Sequence, residues 1–360
     1  MHVPDGFLDA PVSVATGVVA AGAVAVSLRG ARRELDERTA PLAGLVAAFI
    51  FAVQMLNFPV AAGTSGHLLG GALATVLVGP YTAVLCLAVV LLMQGLLFAD
   101  GGLTALGTNI TVMGVVTALV ALLVFHGLLR VLPRRGGARV PVAVATFAAA
   151  LVSVPASAIA FTGLYAIGGT ADVSLGRVFA AMVGVHVLIG IGEAVITTAT
   201  VGAVLAVRPD LVRAARSFTR PALVIRGGSG AVTPTPAPEP AAAPARPLRP
   251  LWLGGLGVAV VLAAFVSFYA SAEPDGLERV ATDEGIAEEA RAHDLADSPL
   301  ADYGVRDVDN ARLSTGLAGA AGVAVTLAAG SAVFLAVRRR PGGADDATTG
   351  TSGRRETVAP

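Results

Sequence analysis

The sequence predicts an all-α integral membrane protein, a bundle of about seven helices followed by a two-helix C-terminal block. Three observations predict it. The 360 residues are 55% hydrophobic and only 14% charged, with a mean hydropathy of +0.75, too apolar for an ordinary soluble domain. Apolar runs of near-bilayer length recur along the chain. A stretch dense in Pro and Ala divides these runs into a larger first group and a smaller second one.

The runs fall at about 11–28, 41–61, 67–79, 81–98, 106–131, 141–168, 175–207, 251–271 and 314–337. Gly79-Pro80 separates the third from the fourth, since proline removes a donor and restricts its neighbour. Arginine clusters arbitrate the topology. Arg29, Arg32, Arg33 and Arg38 follow the first run, and Arg130, Arg134, Arg135 and Arg139 the fifth. Arg208, Arg213, Arg216 and Arg220 follow the seventh, and Arg338, Arg339 and Arg340 the last. The positive-inside bias places all four clusters in the cytoplasm, so an even number of crossings must separate successive clusters, which requires about nine spans. Segment 67–79 is short for a full crossing and is expected to begin earlier or to be partly re-entrant. The N-terminus is then exterior and the C-terminus cytoplasmic, in a multi-pass protein of the cell's inner or plasma membrane. Loops 62–66, 99–105 and 169–174 and the acidic segment 272–313 are exterior.

The division into domains follows. Residues 1–220 form the first block. Residues 221–250, rich in alternating Pro and Ala, read as a stiff, extended, cytoplasmic linker. Residues 251–340 form a two-span block with the exterior loop 272–313, and 341–360 read as a disordered polar tail. No internal repeat stands out. With 25 basic and 25 acidic residues there is no nucleic-acid footprint. The one cysteine, Cys86, lies in an apolar run and forms no intrachain disulfide. No basic region or small-residue cleavage pattern precedes the first run, so the first ten residues are expected in the mature protein.

Those residues read MHVPDGFLDA. A free α-amine, the next backbone amide and an imidazole at position two make two fused chelate rings, with three nitrogens able to lie in one plane around a metal. One further nitrogen completes a square, the geometry of Ni(II) and Cu(II), with strong-field Co(II) also conceivable. The amide must lose its proton, so affinity should rise with pH. Pro4, Asp5 and Gly6 would turn this end back into the protein. The plainer alternative is a frayed terminus with a chance histidine. A second imidazole favours the metal reading. Of five histidines, His67 stands in a Gly-rich stretch at the outer end of a span, on the same side as Met1 and His2. His186 and Glu193, seven residues apart, share one face of a span and serve either as groups behind the ligands or a gate, or as a hydrogen-bonded packing pair. Gln54, Asn57, Asn109 and Thr111 are polar groups at membrane depth, suited to bridging helices or lining the ion's path. His126 reads as structural. In the acidic loop, Asp283, Glu284, Glu288, Glu289, Asp294 and Asp297, with His293, read individually as solvated groups, although together they could gather ions.

Two other classes compete with ion binding. A membrane-embedded metal-dependent enzyme of protease type needs H-E-x-x-H or a comparable pair. That motif is missing, and His186 with Glu193 has the wrong spacing. A structural membrane protein would have no use for a free terminus.

The stretches MHVPDGFL, TSGHLLGG, FTGLYAIGG and HVLIGIGEAVIT resemble the CbiM/NikM family, the substrate-binding membrane subunits of energy-coupling-factor (ECF) transporters for cobalt and nickel, over roughly residues 1–207. AEPDGLERVATDEG at 272–285 resembles the PDGLE domain of the small NikN/CbiN partner, so the chain looks like a fusion of the two. The resemblance implies an ABC-type uptake system rather than an enzyme, with the ion as transported substrate and no cofactor. It implies metal ligands at Met1 (amine), His2 (amide and imidazole) and His67. It also implies a coupling membrane subunit and two ATPases as partners. No G-x-x-x-x-G-K-[ST] occurs here, in keeping with energy supplied by another chain. The planar nitrogen set leans to nickel without excluding cobalt. The exterior loop 272–313 is expected to meet the outer face near Met1 and His67 and to assist loading.

Overall fold

The structure is a computed structural model that describes residues 1–37, 39–61, 63–133, 139–213 and 248–339. All but the last residues of the linker expected at 221–250, and the tail expected at 341–360, lie outside the described residues.

Ten helices carry the fold among the described residues: α1 (Ala10–Gly30), α2 (Thr39–Gln54), α3 (Gly71–Val78), α4 (Pro80–Leu97), α5 (Leu106–Val131), α6 (Arg139–Gly168), α7 (Leu175–Val207), α8 (Arg249–Ala264), α9 (Gly276–Glu284) and α10 (Ala311–Arg339). Seven of them, α1, α4, α5, α6, α7, α8 together with the turn that continues it to Tyr269, and α10, are long and apolar enough to cross a membrane. The architecture is the expected all-α one.

The chain runs back and forth between two ends. The first end gathers the start of α1, where Asp9 N–H donates to Gly168 O at the end of α6 (2.8 Å), and the loops after α4 and α8. The opposite end gathers Glu34 after α1, Thr82 at the start of α4 and Arg213 after α7. Arg338 of α10 reaches Glu37 there at 3.4 Å. The described members of the four arginine clusters therefore belong to one end of the bundle.

Local sequence explains the breaks. Asp9 accepts from Val12 N–H and Pro11 occupies the first turn, a regular helix start. Gly79 adopts φ +101°, a region closed to most side chains, and Pro80 opens α4, so one apolar stretch becomes two helices. With eight residues α3 is about 12 Å long, too short to cross alone. The span expected over 41–61 is shorter than its apolar run. Its helix ends at Gln54, and Phe58–Ala61 instead pairs antiparallel with Thr64–Gly66. The reason is Pro59, which forces the residue before it into extended backbone. A π-helical stretch, Ile110–Val116, interrupts α5 immediately after Asn109.

α6 lies along α7, and α5 lies along α6. α2 is the hub for the C-terminal block, packing on both α8 and α10. One continuous buried cluster runs from Leu45 and Phe51 of α2 to Ala259 and Ala263 of α8 and Phe334 of α10.

Candidate metal centre

The first residues are held along their length. Val3 N–H donates to Asn109 Oδ1 at 2.8 Å, while Val3 O accepts from Asn109 Nδ2 (3.1 Å) and Gly102 N–H (2.9 Å). The Asp5 carboxylate accepts from Leu103 N–H, Thr104 N–H and the Thr104 hydroxyl at 3.1, 2.7 and 2.5 Å. Gly6 O accepts from the Thr170 hydroxyl at 2.7 Å. Two loops and a helix thus hold one short segment, and Asn109, placed just before the π turn of α5, reads its backbone like a strand partner. The Met1 side chain fills the interior of the bundle, where the Ser157 hydroxyl donates to its sulfur at 3.3 Å. Met1 is only 3% exposed.

This anchoring sets the Met1 amine 2.6 Å from His67 Nε2, across 66 positions of sequence. The rings of His2 and His67 meet edge to face, with centroids 5.1 Å apart. His67 Nδ1 lies 3.2 Å from Leu68 O, which places its proton on that nitrogen and leaves the Nε2 lone pair facing the amine. Burial first, and the neighbouring amine second, lower the His67 pKa and favour the neutral ring that metals bind. His2 Nδ1 contacts Asp100, and His2 Nε2 is buried without a hydrogen-bond partner. Burial would raise Asp100, but His2 outweighs it and holds the carboxyl at about 2.

The His67 loop is fixed from below. Glu193 on α7 accepts from Leu69 N–H (2.7 Å) and Gly70 N–H (3.2 Å), so its carboxylate caps the start of α3. Gln54 Nε2 donates to Leu69 O at 2.9 Å. These two side chains act on the backbone next to His67. His186 and Glu193 share a face of α7 but do not bond each other, so the packing-pair alternative is not what the structure contains. His186 Nδ1 instead lies 2.8 Å from Met182 O, and its Nε2 is buried without a partner. A Cβ on Gly276 would come within 3.2 Å of His186 Cε1 and 2.5 Å of Val185, so only glycine lets α9 lie against α7 at this point.

The C-terminal block closes over the same end. Asp275 Oδ2 accepts from the Met1 amine at 2.6 Å and lies 3.7 Å from His67 Nε2. Burial raises its pKa, but the amine and His67 together hold the carboxyl well below the carboxylate range. The Ser65 hydroxyl and amide donate to Glu273 O and Pro274 O at 2.7 and 2.9 Å, and Arg291 N–H donates to Asp5 O at 2.8 Å. The Tyr303 hydroxyl donates to Asp100 Oδ2 at 2.5 Å, and its ring stacks on Phe98. A polar cavity of about 270 Å³ remains between the two blocks. Gln54 and Asn57 line it, each with a side-chain oxygen that has no partner. Thr111 is outside this centre, its hydroxyl 3.5 Å from Thr16 O. His126 is exposed, with Nδ1 3.0 Å from Leu122 O, at the other end of α5.

Among the described residues no group of three or more His, Cys, Asp or Glu side chains is arranged to hold a metal ion. A side-chain-only metal centre of protease type therefore has no ligand set there. The Met1, His2 and His67 set differs because two of its donors are main-chain nitrogens. Sequence reasoning missed Asp100, Asp275 and Tyr303, and it gave Asp5 a turn but not its bonds to the 103–104 backbone. Asp5 and Asp275 each stand in a motif already singled out, MHVPDGF and PDGLE, and Asp100 stands in an exterior loop; Tyr303 carried no signal. Asp283 and Glu284, read as solvated, pair with Arg279 (2.8 Å) and Arg177 (3.2 Å).

Comparison with known proteins agrees with this architecture. Residues 2–211 match the family described as the cobalt uptake substrate-specific transmembrane region, CbiM, and residues 249–339 match the PDGLE domain. A Haloquadratum walsbyi protein named for metal transport is 38% identical over 212 residues, covering 59% of this chain and 93% of that protein. An Archaeoglobus fulgidus protein named as a fused nickel transport protein is 36% identical over 236 residues, 65% of this chain and 75% of that one. A crystal structure of a transition metal transporter superposes with TM-score 0.50 at 27% identity, over 57% of this chain and 93% of its own. The chain belongs to the CbiM family and carries a PDGLE domain: it is a multi-pass membrane component of cobalt or nickel transport, a transporter rather than an enzyme, and the ion is a substrate and not a cofactor.

Proposed function

We propose that this chain is the substrate-specific subunit of an ECF-type ABC transporter that takes up Ni2+ or Co2+, held by the Met1 amine, the His2 amide and imidazole, and His67. One observation carries the reading: the buried amine lies 2.6 Å from His67 Nε2. In the amine–amide–imidazole chelate the amine and the imidazole lie opposite each other, so a fourth nitrogen must sit beside the amine. With metal–nitrogen bonds of about 2.0 Å, neighbouring ligands of a square are roughly 2.8 Å apart. The 2.6 Å contact supports His67 as the fourth donor. Loading the ion exchanges the His2–Asp100 contact for a metal bond, because Nδ1 is the atom that closes the second ring.

In this reading residues 1–220 are the ion-binding block, 221–250 a cytoplasmic linker and 251–340 the docked partner block. The arginine-rich end is cytoplasmic and the ion end exterior. A coupling membrane subunit and two ATPases supply the energy. The planar nitrogen set fits Ni(II) best, with Co(II) next. Extending the chain by one residue ahead of Met1 tests the site. High-affinity binding should vanish while the helical circular dichroism is retained, and equal metal content in the extended and native proteins would refute the assignment. Metal analysis of the purified native protein decides between the two ions.

A further inference from the structure

The C-terminal block supplies two polar side chains that touch the groups just assigned as ligands or their supports, and its contacts with Met1, His67 and Asp100 are direct. Asp275 has two tasks. Its Oδ1 accepts from Leu277 N–H (2.8 Å) and Glu278 N–H (2.9 Å) and so caps α9, while Oδ2 accepts from the Met1 amine at 2.6 Å. The Glu278 side chain bonds back to Asp275 N–H, completing a capping box that fixes the carboxylate's direction. The two bonds that the Ser65 hydroxyl and amide donate, two residues before His67, set the distance between this cap and the His67 loop.

Tyr303 reaches the partner of the other ligand in the ion-free site. Its hydroxyl donates to Asp100, and Asp100 holds His2. The ring lies 4.9 Å from Phe98, centroid to centroid, and Asp302 N–H donates to Phe98 O at 2.9 Å. Asp302 and Tyr303 have φ +53° and +56°, a region that costs free energy for any residue other than glycine. Neither is glycine, and together they turn the loop so that the phenol points into the bundle.

We propose that the two-span block is part of the ion site, with Asp275 as the positioning residue for the Met1 amine. A nitrogen ligand bound to a metal still carries N–H groups, and a carboxylate that accepts from them orients the lone pair and raises its basicity. Asp275 does this for the amine with no other side chain in its place. The block therefore acts on affinity itself, beyond any part it has in holding the bundle together.

The inference rests on the ligand assignment above, and its test is separable from that one. Asp275→Ser keeps a helix cap, since Ser caps about as well as Asp, but is too short to reach the amine. Asp275→Asn keeps the cap through its one oxygen and turns its amide nitrogen to the amine, so it loses the acceptor while keeping the docked helix. By calorimetry with Ni2+ on the full chain, each change should weaken binding by about 10–100-fold. The visible ligand-field band of the bound ion should shift in both. In metal-free protein the Met1 amine should become more reactive to a small acylating reagent in both, read by mass spectrometry. Native affinity and spectrum in both variants would overturn the proposal, and so would a loss in Asp275→Ser with native affinity in Asp275→Asn, because that assigns the effect to the cap and docking and not to the acceptor. If the one-residue extension abolishes binding while these variants bind like the native chain, this inference fails and the ligand assignment survives.

Discussion

Two buried glutamates, one at each end of the bundle, do the same local work with different consequences. Glu193 accepts from Leu69 and Gly70 N–H at the start of α3. Glu34 accepts from the Thr82 amide and hydroxyl, each at 2.8 Å, at the start of α4. Both stabilise a helix N-terminus where glycine has broken the chain. They differ in surroundings. Glu34 has Arg213 3.9 Å away, at the arginine-rich end. Burial pushes its pKa up, against the pull of Thr82 and Arg213. Glu193 has two backbone donors inside the bundle, next to the loop that presents His67. The same cap serves stability at one end and lies beside the proposed ion site at the other, so position alone would separate the roles.

The comparison can be broken or sharpened by experiment. The largest effect is expected from the ligand itself. His67→Ala should cost at least about 100-fold in metal affinity, since losing a ligand exceeds the 10–100-fold typical of groups behind it. His126→Ala should cost nothing, and indistinguishable dissociation constants by paired calorimetry would place His67 outside the ligand set.

Glu193→Gln comes next. One amide oxygen cannot serve both N–H groups as the carboxylate does, so Leu69 or Gly70 is left unsatisfied in a dry interior. The stability cost is about 1–3 kcal/mol. The affinity cost should be about 10–100-fold, because the His67 loop loses its register. Glu34→Gln should cost a similar or smaller stability increment and leave affinity unchanged. If thermal melts and calorimetry give the two glutamates the same affinity effect, the division of labour between the ends is wrong.

The C-terminal block offers a further contrast. Deleting residues 251–340 should lower ion uptake by more than it lowers protein abundance. Uptake that falls only in proportion to abundance would make the block a scaffold for α2, on which both its spans pack.

The smallest effect is expected at Asp5, whose carboxylate ties the first residues to the 103–104 backbone. Asp5→Asn keeps one acceptor oxygen and should reduce affinity by only about tenfold, the lower end of the range for supporting groups. A native dissociation constant would show that the other contacts, Asn109 among them, hold the segment without this carboxylate.

Apolar run length, the Gly79-Pro80 break and the arginine clusters were enough to read the helical bundle, its C-terminal pair and the alternation of direction, because a chain in lipid must satisfy its backbone within each span. Periodicity did not reveal the hairpin at 58–66, since a short apolar run scans alike as helix or strand until proline decides. Met1, His2 and His67 could be singled out from the chemistry of a terminal amine beside histidine and from the scarcity of other histidines. Glu193 was noticed as costly inside a span, but its task depends on which backbone lies opposite, and no spacing within α7 tells that. Asp275 and Tyr303 stand 274 and 302 positions after Met1. Their contacts exist only because two helices dock on α2 and return a loop over the first residues. Local sequence sets helix, break and cap through short-range bonds. Which carboxylate meets which amine is decided by how the helices pack, and that is a property of the whole bundle.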